Sequence, residues 1–360
     1  MKRFSFAFFL AVTGFAFVLF YGSPAAEGQT GGTERGRTAA QPTPSPTPPK
    51  INPEDEVITV ETELVNLNVR VIDRNNRPIN GVKESEFKIF EDGVPQTIEF
   101  FSFSEVPTNY GLVIDNSGSL RQQLEKVIEA SKILVNTNKP SDETLVIRFV
   151  SRDKITIEQN FTSNKTDLND ALDNLYIEGG QTAIIDAVYL AAEKVSEYEK
   201  DRGKDDRKRR ALIVVSDGED RDSYYSEAQL FEMLRETDVQ IYTIGFVSEL
   251  SKDGGFISKS PQGKAKSFLE RLASETGGKS YFPNSTAELA GMAKDISAEL
   301  RLQYSIGYIP TNDRKDGTYR NIKVTVDDGP SKQKRIAVTK AGRLAESDSP
   351  APAKAAVTKP

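Results

Sequence analysis

The chain of 360 residues has no cysteine, no histidine and no tryptophan. Without cysteine there can be no disulfide, no thiolate zinc site, no cysteine nucleophile and no lipidated N-terminal cysteine. Without histidine the usual general base and the commonest transition-metal ligand are missing. Histidine-dependent triads and most hydrolytic zinc sites are therefore excluded, while serine–lysine and paired-carboxylate chemistry stay open. Excess positive charge is absent too: the net charge is −6 with 28% charged residues, which provides no basic field for nucleic acid. Any metal site must be made of oxygen, and oxygen ligands suit hard cations.

The length suits about two domains. Residues 1–26 form an export segment: Lys2 and Arg3 lead an uncharged apolar run over 4–21, and the small residues Ser23 and Ala25 follow. As a helix the run would be about 27 Å long, against a hydrocarbon thickness of roughly 30 Å. It reads as a signal peptide, with a retained N-terminal anchor as the other reading. In either case the rest of the chain leaves the cytoplasm, to be secreted, periplasmic or bound to the cell envelope. Residues 27–56 are poor in apolar side chains and contain alternating prolines over 42–49. Such a stretch prefers polyproline II and makes a stalk or a plain disordered linker.

Residues 57–106 carry the alternation of half-buried strands: Val65, Leu67, Val69 and Val71 interleave with Asn66, Asn68 and Arg70. Over 107–303 the pattern changes to alternating strands and helices, with an unbroken apolar run at Ala211-Leu212-Ile213-Val214-Val215. That run suits a strand covered on both faces. The order predicts an α/β fold, a doubly wound, mostly parallel sheet. Residues 304–341 return to β alternation, and 342–360 read as a disordered tail. Each β segment is too small to be stable by itself. We therefore expect the two to form one small β-sandwich into which the α/β domain is inserted, the competing arrangement being two separate add-ons.

Three segments place oxygen side chains where strands or loops give way to helices. They are Asp115-Asn116-Ser117-Gly118-Ser119, Gly179-Gly180-Gln181-Thr182 and Ser216-Asp217-Gly218. The strands before the first and third should be neighbours near the sheet centre, with their carboxyl ends meeting where open α/β sheets bind ligands. Each residue also has an ordinary role open to it. Ser117, Ser119 and Thr182 could cap helices, and Asp217-Gly218 could be a turn. Glu219, Asp220 and Asp222 read as a solvated loop, residues 200–210 as another, and Asp186 as an orienting residue rather than a ligand. The loop over 246–264 lies on the same edge and is a candidate specificity loop.

Together these segments resemble the metal-ion-dependent adhesion site of von Willebrand factor A domains, an Asp-x-Ser-x-Ser run followed by a distant Thr and a distant Asp. Asp115, Ser117, Ser119, Thr182 and Asp217 match the five positions, and Asn116 departs from the commoner Thr at a position that is not a ligand. The run from Val69 to Glu91-Asp92-Gly93 is similar to the leader of bacterial exported "VWFA-related" proteins. Tyr304-Ser305-Ile306-Gly307-Tyr308 and Gly317-Thr318-Tyr319-Arg320 look like that family's closing segment. The resemblance spans about residues 57–339. It implies that Ser117, Ser119 and Thr182 bind Mg²⁺ directly, with Asp115 and Asp217 acting through water or one at a time. Ca²⁺ or Mn²⁺ could substitute. A protein partner offering an Asp or Glu carboxylate would complete the ion. The expected function is an exported, non-enzymatic adhesion or scaffold module, with the membrane involved only through the N-terminal anchor. A structural envelope subunit with a stabilising ion is the alternative. A metal-dependent hydrolase is a weaker one, because no histidine is available to activate water.

Overall fold

The computed structural model describes residues 64–198, 208–253 and 260–347. The export segment, the Pro-rich stretch, most of the charged run after residue 199 and the end of the tail lie outside them.

In β1 (Val65–Ile72), Val65, Leu67, Val69 and Val71 are buried, as the alternation requires. After it come β2 (Phe87–Glu91), β3 (Val94–Gln96) and β4 (Ile98–Glu105). The α/β part runs β5 (Thr108–Asp115), α1 (Leu124–Thr137), β6 (Glu143–Phe149), β7 (Ile155–Thr162), α2 (Lys165–Asp173), α3 (Ile184–Glu197), β8 (Arg209–Ser216), α4 (Glu227–Glu236), β9 (Val239–Gly245), α5 (Pro261–Thr276), β10 (Ser280–Tyr281) and α6 (Leu289–Arg301). The described chain closes with β11 (Leu302–Tyr308), β12 (Tyr319–Val326), β13 (Ile336–Val338) and β14 (Gly342–Leu344).

The central sheet has the order β10-β9-β8-β5-β6-β7. All its pairs are parallel except β6–β7, an antiparallel edge. Side chains of the inner strands alternate between two cores. Leu112 and Ile114 face the layer of α1, α2 and α6, while Val113, Leu212 and Val214 face the layer of α3, α4 and α5. Because both faces are covered, β5 from Tyr110 and β8 from Ala211 are apolar up to their carboxyl ends. The chain leaves β5 toward β6 on one side and returns through β8 on the other. The crevice between the carboxyl ends of β5 and β8 is thus a topological switch point.

The flanking segments form two antiparallel sheets, β13-β1-β11-β4 and β14-β12-β2-β3. Each contains strands from before and after the α/β part. Their shared core packs Leu67, Val69, Phe87 and Ile89 against Tyr304, Ile306 and Tyr308, with the Phe87 and Tyr304 rings 5.1 Å apart. Neither segment has enough apolar surface alone, so pooling them is what makes the core. The α/β part joins this sandwich through buried charge. Arg70 of β1 donates to Glu299 of α6 at 2.6 Å and to the Gly278 carbonyl at 2.7 Å. Arg209 donates to the carbonyls of Leu300 and Arg301, groups at the end of α6 that the helix leaves free, and to the Gln303 carbonyl of β11.

Two expectations need correction. The tail does not start disordered at 342: Gly342–Leu344 pair with β12, and Ser347 bridges Asp316. Arg343 carries its guanidinium into the sandwich, where Nε meets the buried Glu91 at 3.0 Å, and that pairing holds the strand. The loop over 246–264 is also shorter than expected. Ser260 caps α5 by accepting from Gly263 N, and Pro261 stands at the first helical position, where its missing N–H costs nothing.

Candidate metal centre

Asp115 is the last residue of β5 and is fully buried. Its Oδ1 accepts from Ser117 N at 2.9 Å and its Oδ2 from Ser216 Oγ at 2.7 Å. The Ser216 hydroxyl oxygen in turn accepts from Gly218 N at 3.0 Å. Since Ile114 pairs with Val215, the ends of β5 and β8 are level, and this one serine ties them together. Asp217, also buried, accepts from Glu219 N through Oδ1 at 3.0 Å. Its other oxygen has no protein partner among the described residues. Part of the turn reading is therefore realised: Asp217 holds its own turn, and Gly218 sits at φ +79°, where a Cβ would also meet Leu269 at 2.8 Å.

The serines do not cap a helix. Ser117 begins a 3-10 turn, Gly118–Leu120, without a side-chain capping bond, and α1 starts only at Leu124. Instead the Ser117 and Ser119 hydroxyls lie 2.9 Å apart, Ser117 buried and Ser119 exposed at the edge. Thr182 does not cap either. The N-cap of α3 is Ala183, and the Thr182 hydroxyl has no partner among the described residues. Thr182 is held by backbone. Its carbonyl accepts from Arg221 N at 2.8 Å and Asp222 N at 3.2 Å, while Ala183 N donates to Val150 O at 3.0 Å. Asn116 supplies the third connection: its Nδ2 donates to the Tyr176 carbonyl, and its own carbonyl accepts from Glu178 N. The first segment is thus fastened to the loop that leads to Thr182, and the loop at Thr182 to the one that follows Asp217.

Burial pushes the Asp115 carboxyl up to about 6, and Asp217 nearby adds to the rise against the hydrogen bonds from Ser117 and Ser216. Neither acid has a basic partner among the described residues. Two buried carboxylates without a counter-charge are costly, and a divalent cation would offset them. The donors are all oxygen, as a hard cation prefers. Among the described residues no three Asp, Glu, His or Cys side chains form a metal cluster. A cation here would rest on hydroxyls with the two carboxylates close behind them, and these residues fit one.

Residues other than the five expected ligands also matter. Ser216 lay within the third segment, but its link to Asp115 depends on the pairing of β5 and β8. Asp220 and Asp222 are not simply solvated. Asp220 accepts from Ile185 N, and Asp222 accepts from Arg152. Nothing in the local pattern distinguishes these acids from surface charge.

The family model described as von Willebrand factor type A domain matches residues 111–295. An uncharacterized protein of Synechocystis sp., sll0103, is 30% identical over 150 residues, which is 41% of this chain and 34% of that protein. The chain thus spans about a third of the length of the curated relative it matches. Among solved structures, an aerotolerance-related membrane protein from Bacteroides fragilis is 21% identical, covering 54% of this chain and 98% of that one, with a TM-score of 0.41. Proximal thread matrix protein 1 of the mussel byssus, with a zinc-occupied MIDAS motif, is 18% identical over 55% of this chain and 49% of that one, TM-score 0.43. A von Willebrand factor type A protein from Catenulispora acidiphila is 11% identical over 78% of this chain and 75% of that one, TM-score 0.43.

Proposed function

The chain belongs to the von Willebrand factor type A domain family, and from that premise we propose that it is an exported, divalent-metal-dependent protein-binding module without catalytic activity. The family is often metal-dependent and mediates protein interactions. The observation that carries the reading is the state of the oxygen side chains at the ends of β5 and β8. The Ser117 and Ser119 hydroxyls meet at 2.9 Å without capping a helix, beside two buried acids that have no basic partner among the described residues.

In this reading Ser117, Ser119 and Thr182 offer hydroxyl oxygens to Mg²⁺, or to Ca²⁺ or Mn²⁺ in its place. Asp115 has both oxygens engaged by Ser117 N and Ser216 Oγ, so it acts through the second shell or through water. Asp217 keeps one oxygen for the same purpose. When bound, the ion supplies an electrophilic centre that neutral hydroxyls leave under-compensated, and an Asp or Glu carboxylate of a protein partner completes it. Residues 1–26 direct export as a signal peptide or anchor, and 27–56 serve as the stalk. The β segments over 57–106 and 304–341 carry the 107–303 domain as a platform outside the cytoplasm.

The test is recovery of a partner from envelope extract by the purified full chain in Mg²⁺ and in EDTA. The partner should be retained with Mg²⁺, released by EDTA and not recovered by Asp115→Ala. Retention of every partner through both changes overturns the adhesion reading. A hydrolytic turnover that disappears in Asp217→Asn would replace it with the enzyme.

A further inference from the structure

Helix α3 starts without a side-chain cap of its own. Ala183 occupies the N-cap and has no side-chain oxygen to offer, although the first turn of any helix leaves N–H groups in need of acceptors. The acceptors come from the loop after Asp217. Asp220 Oδ1 accepts from Ile185 N at 3.2 Å, and Ser223 Oγ accepts from Asp186 N at 3.1 Å. The Ser223 hydroxyl also donates to Asp220 Oδ1 at 2.5 Å, which keeps the two caps together. The connection runs in the other direction as well. Asp186, in the first turn of α3, accepts from Tyr224 N at 2.7 Å with one oxygen and from Tyr225 N at 2.9 Å with the other. This has the reciprocity of a capping box, with the two halves on segments 38 residues apart.

The clasp lies directly beside Thr182. The Thr182 hydroxyl has no partner among the described residues, so its place is set only through the backbone. The Thr182 carbonyl holds Arg221 N and Asp222 N of the same loop. Between Asp217 and that contact the chain passes Gly218 at φ +79° and no regular element. Helix α3 as a body packs on β8, but the loop after Asp217 has no regular element to hold it against the start of α3, and the bonds around Asp186 add that hold to the Thr182 carbonyl contacts. A carboxylate suits the task because two N–H donors need two acceptor oxygens. An amide supplies only one and turns a donor toward the second N–H.

We propose that Asp186 is a positioning residue of the metal centre, clamping the loop after Asp217 onto the start of α3 so that the Thr182 hydroxyl stands where it can serve as a ligand. The inference rests on the metal reading above.

The experiment is a double-mutant cycle on the full chain, with Mn²⁺ as the probe and the electron paramagnetic resonance signal of free Mn²⁺ as the readout. Asp186→Asn should weaken Mn²⁺ binding about tenfold, in the range of outer-shell substitutions at metal sites. In a Thr182→Ala background the same change should cost less than about twofold, because the residue it acts through is gone. A merely structural role would give the same factor in both backgrounds, and that result overturns the proposal. So does an Asp186→Asn protein that binds Mn²⁺ as the wild type does, an outcome that leaves the metal reading intact. A wild type that binds no Mn²⁺ removes both. If Asp186→Asn does not give a cooperative melt, Ser223→Ala, which leaves the carboxylate in place, is carried through the same cycle with the same outcomes.

Discussion

Saturating the oxygen site with a divalent cation should raise the melting temperature of the full chain, and a single exposed hydroxyl should control the rise. A ligand that binds only the native state stabilises it by about 2.7 kcal/mol at roughly 100 times its dissociation constant. For a folded unit of this size, each kcal/mol moves the melting temperature by roughly 2–4 °C. Mg²⁺ or Mn²⁺ should therefore raise it by roughly 5–10 °C over the EDTA value. Ser119 is exposed, and among the described residues its hydroxyl meets only Ser117, so Ser119→Ala should leave the EDTA melt almost unchanged. Its expected cost is within about 0.5 kcal/mol, as for most surface changes. The same variant should lose most of the metal-induced rise. Ser216→Ala provides the contrast. It removes the donor to Asp115 and the acceptor of Gly218 N, both buried, so about 1–3 kcal/mol should be lost even in EDTA. The assay is differential scanning fluorimetry of the three proteins in EDTA, Mg²⁺, Mn²⁺ and Ca²⁺. If no cation moves the wild type by more than about 1 °C, or if Ser119→Ala shifts as far as the wild type, the assignment of these hydroxyls to a metal is wrong.

Three further outcomes follow from the packing. Glu299→Gln leaves the buried Arg70 guanidinium without its counter-charge and should cost about 3–5 kcal/mol in urea denaturation; a loss below about 1 kcal/mol would mean that the pair does not join the sandwich to α6. Arg343→Met should destabilise by about 3 kcal/mol by stranding Glu91, and adding Glu91→Gln should recover more than half of that; a double variant no better than the single one contradicts the pairing. Gly278→Ala puts a Cβ 1.9 Å from the Ile241 carbonyl oxygen. Backbone must move to relieve it, at about 3 kcal/mol or more, so a variant that melts with the wild type would show that the β9–β10 edge is looser than its contacts.

Much of the fold is legible in the chain because burial writes a local period. Alternation marks β1 and β11, and the unbroken apolar run marks β8. The sandwich was inferred from insufficiency, since two small β segments each needed a face that only the other could supply. The residues after Ser117 have a helical pattern, but the backbone there turns tightly and keeps the two hydroxyls together. Strand β14 was missed because three residues among Ala, Ser and Pro carry no period. What makes it a strand is Arg343 reaching a carboxylate 252 positions away.

The amino-acid sequence by itself determined the chemistry available: no nitrogen or sulfur ligand from His or Cys, and hydroxyls and carboxylates gathered at Asp115, Ser117, Ser119, Thr182 and Asp217. Residue type is a local property and can be read locally. Only the tertiary structure decided which of the acids serve that edge and which serve the loops. Asp220 and Ser223 cap a helix they do not belong to, Asp186 answers across 38 residues, and Ser216 joins two strands through one hydroxyl. A buried polar group takes whatever partner the topology brings within hydrogen-bond reach, and the crossing from β7 to β8 brings these loops together.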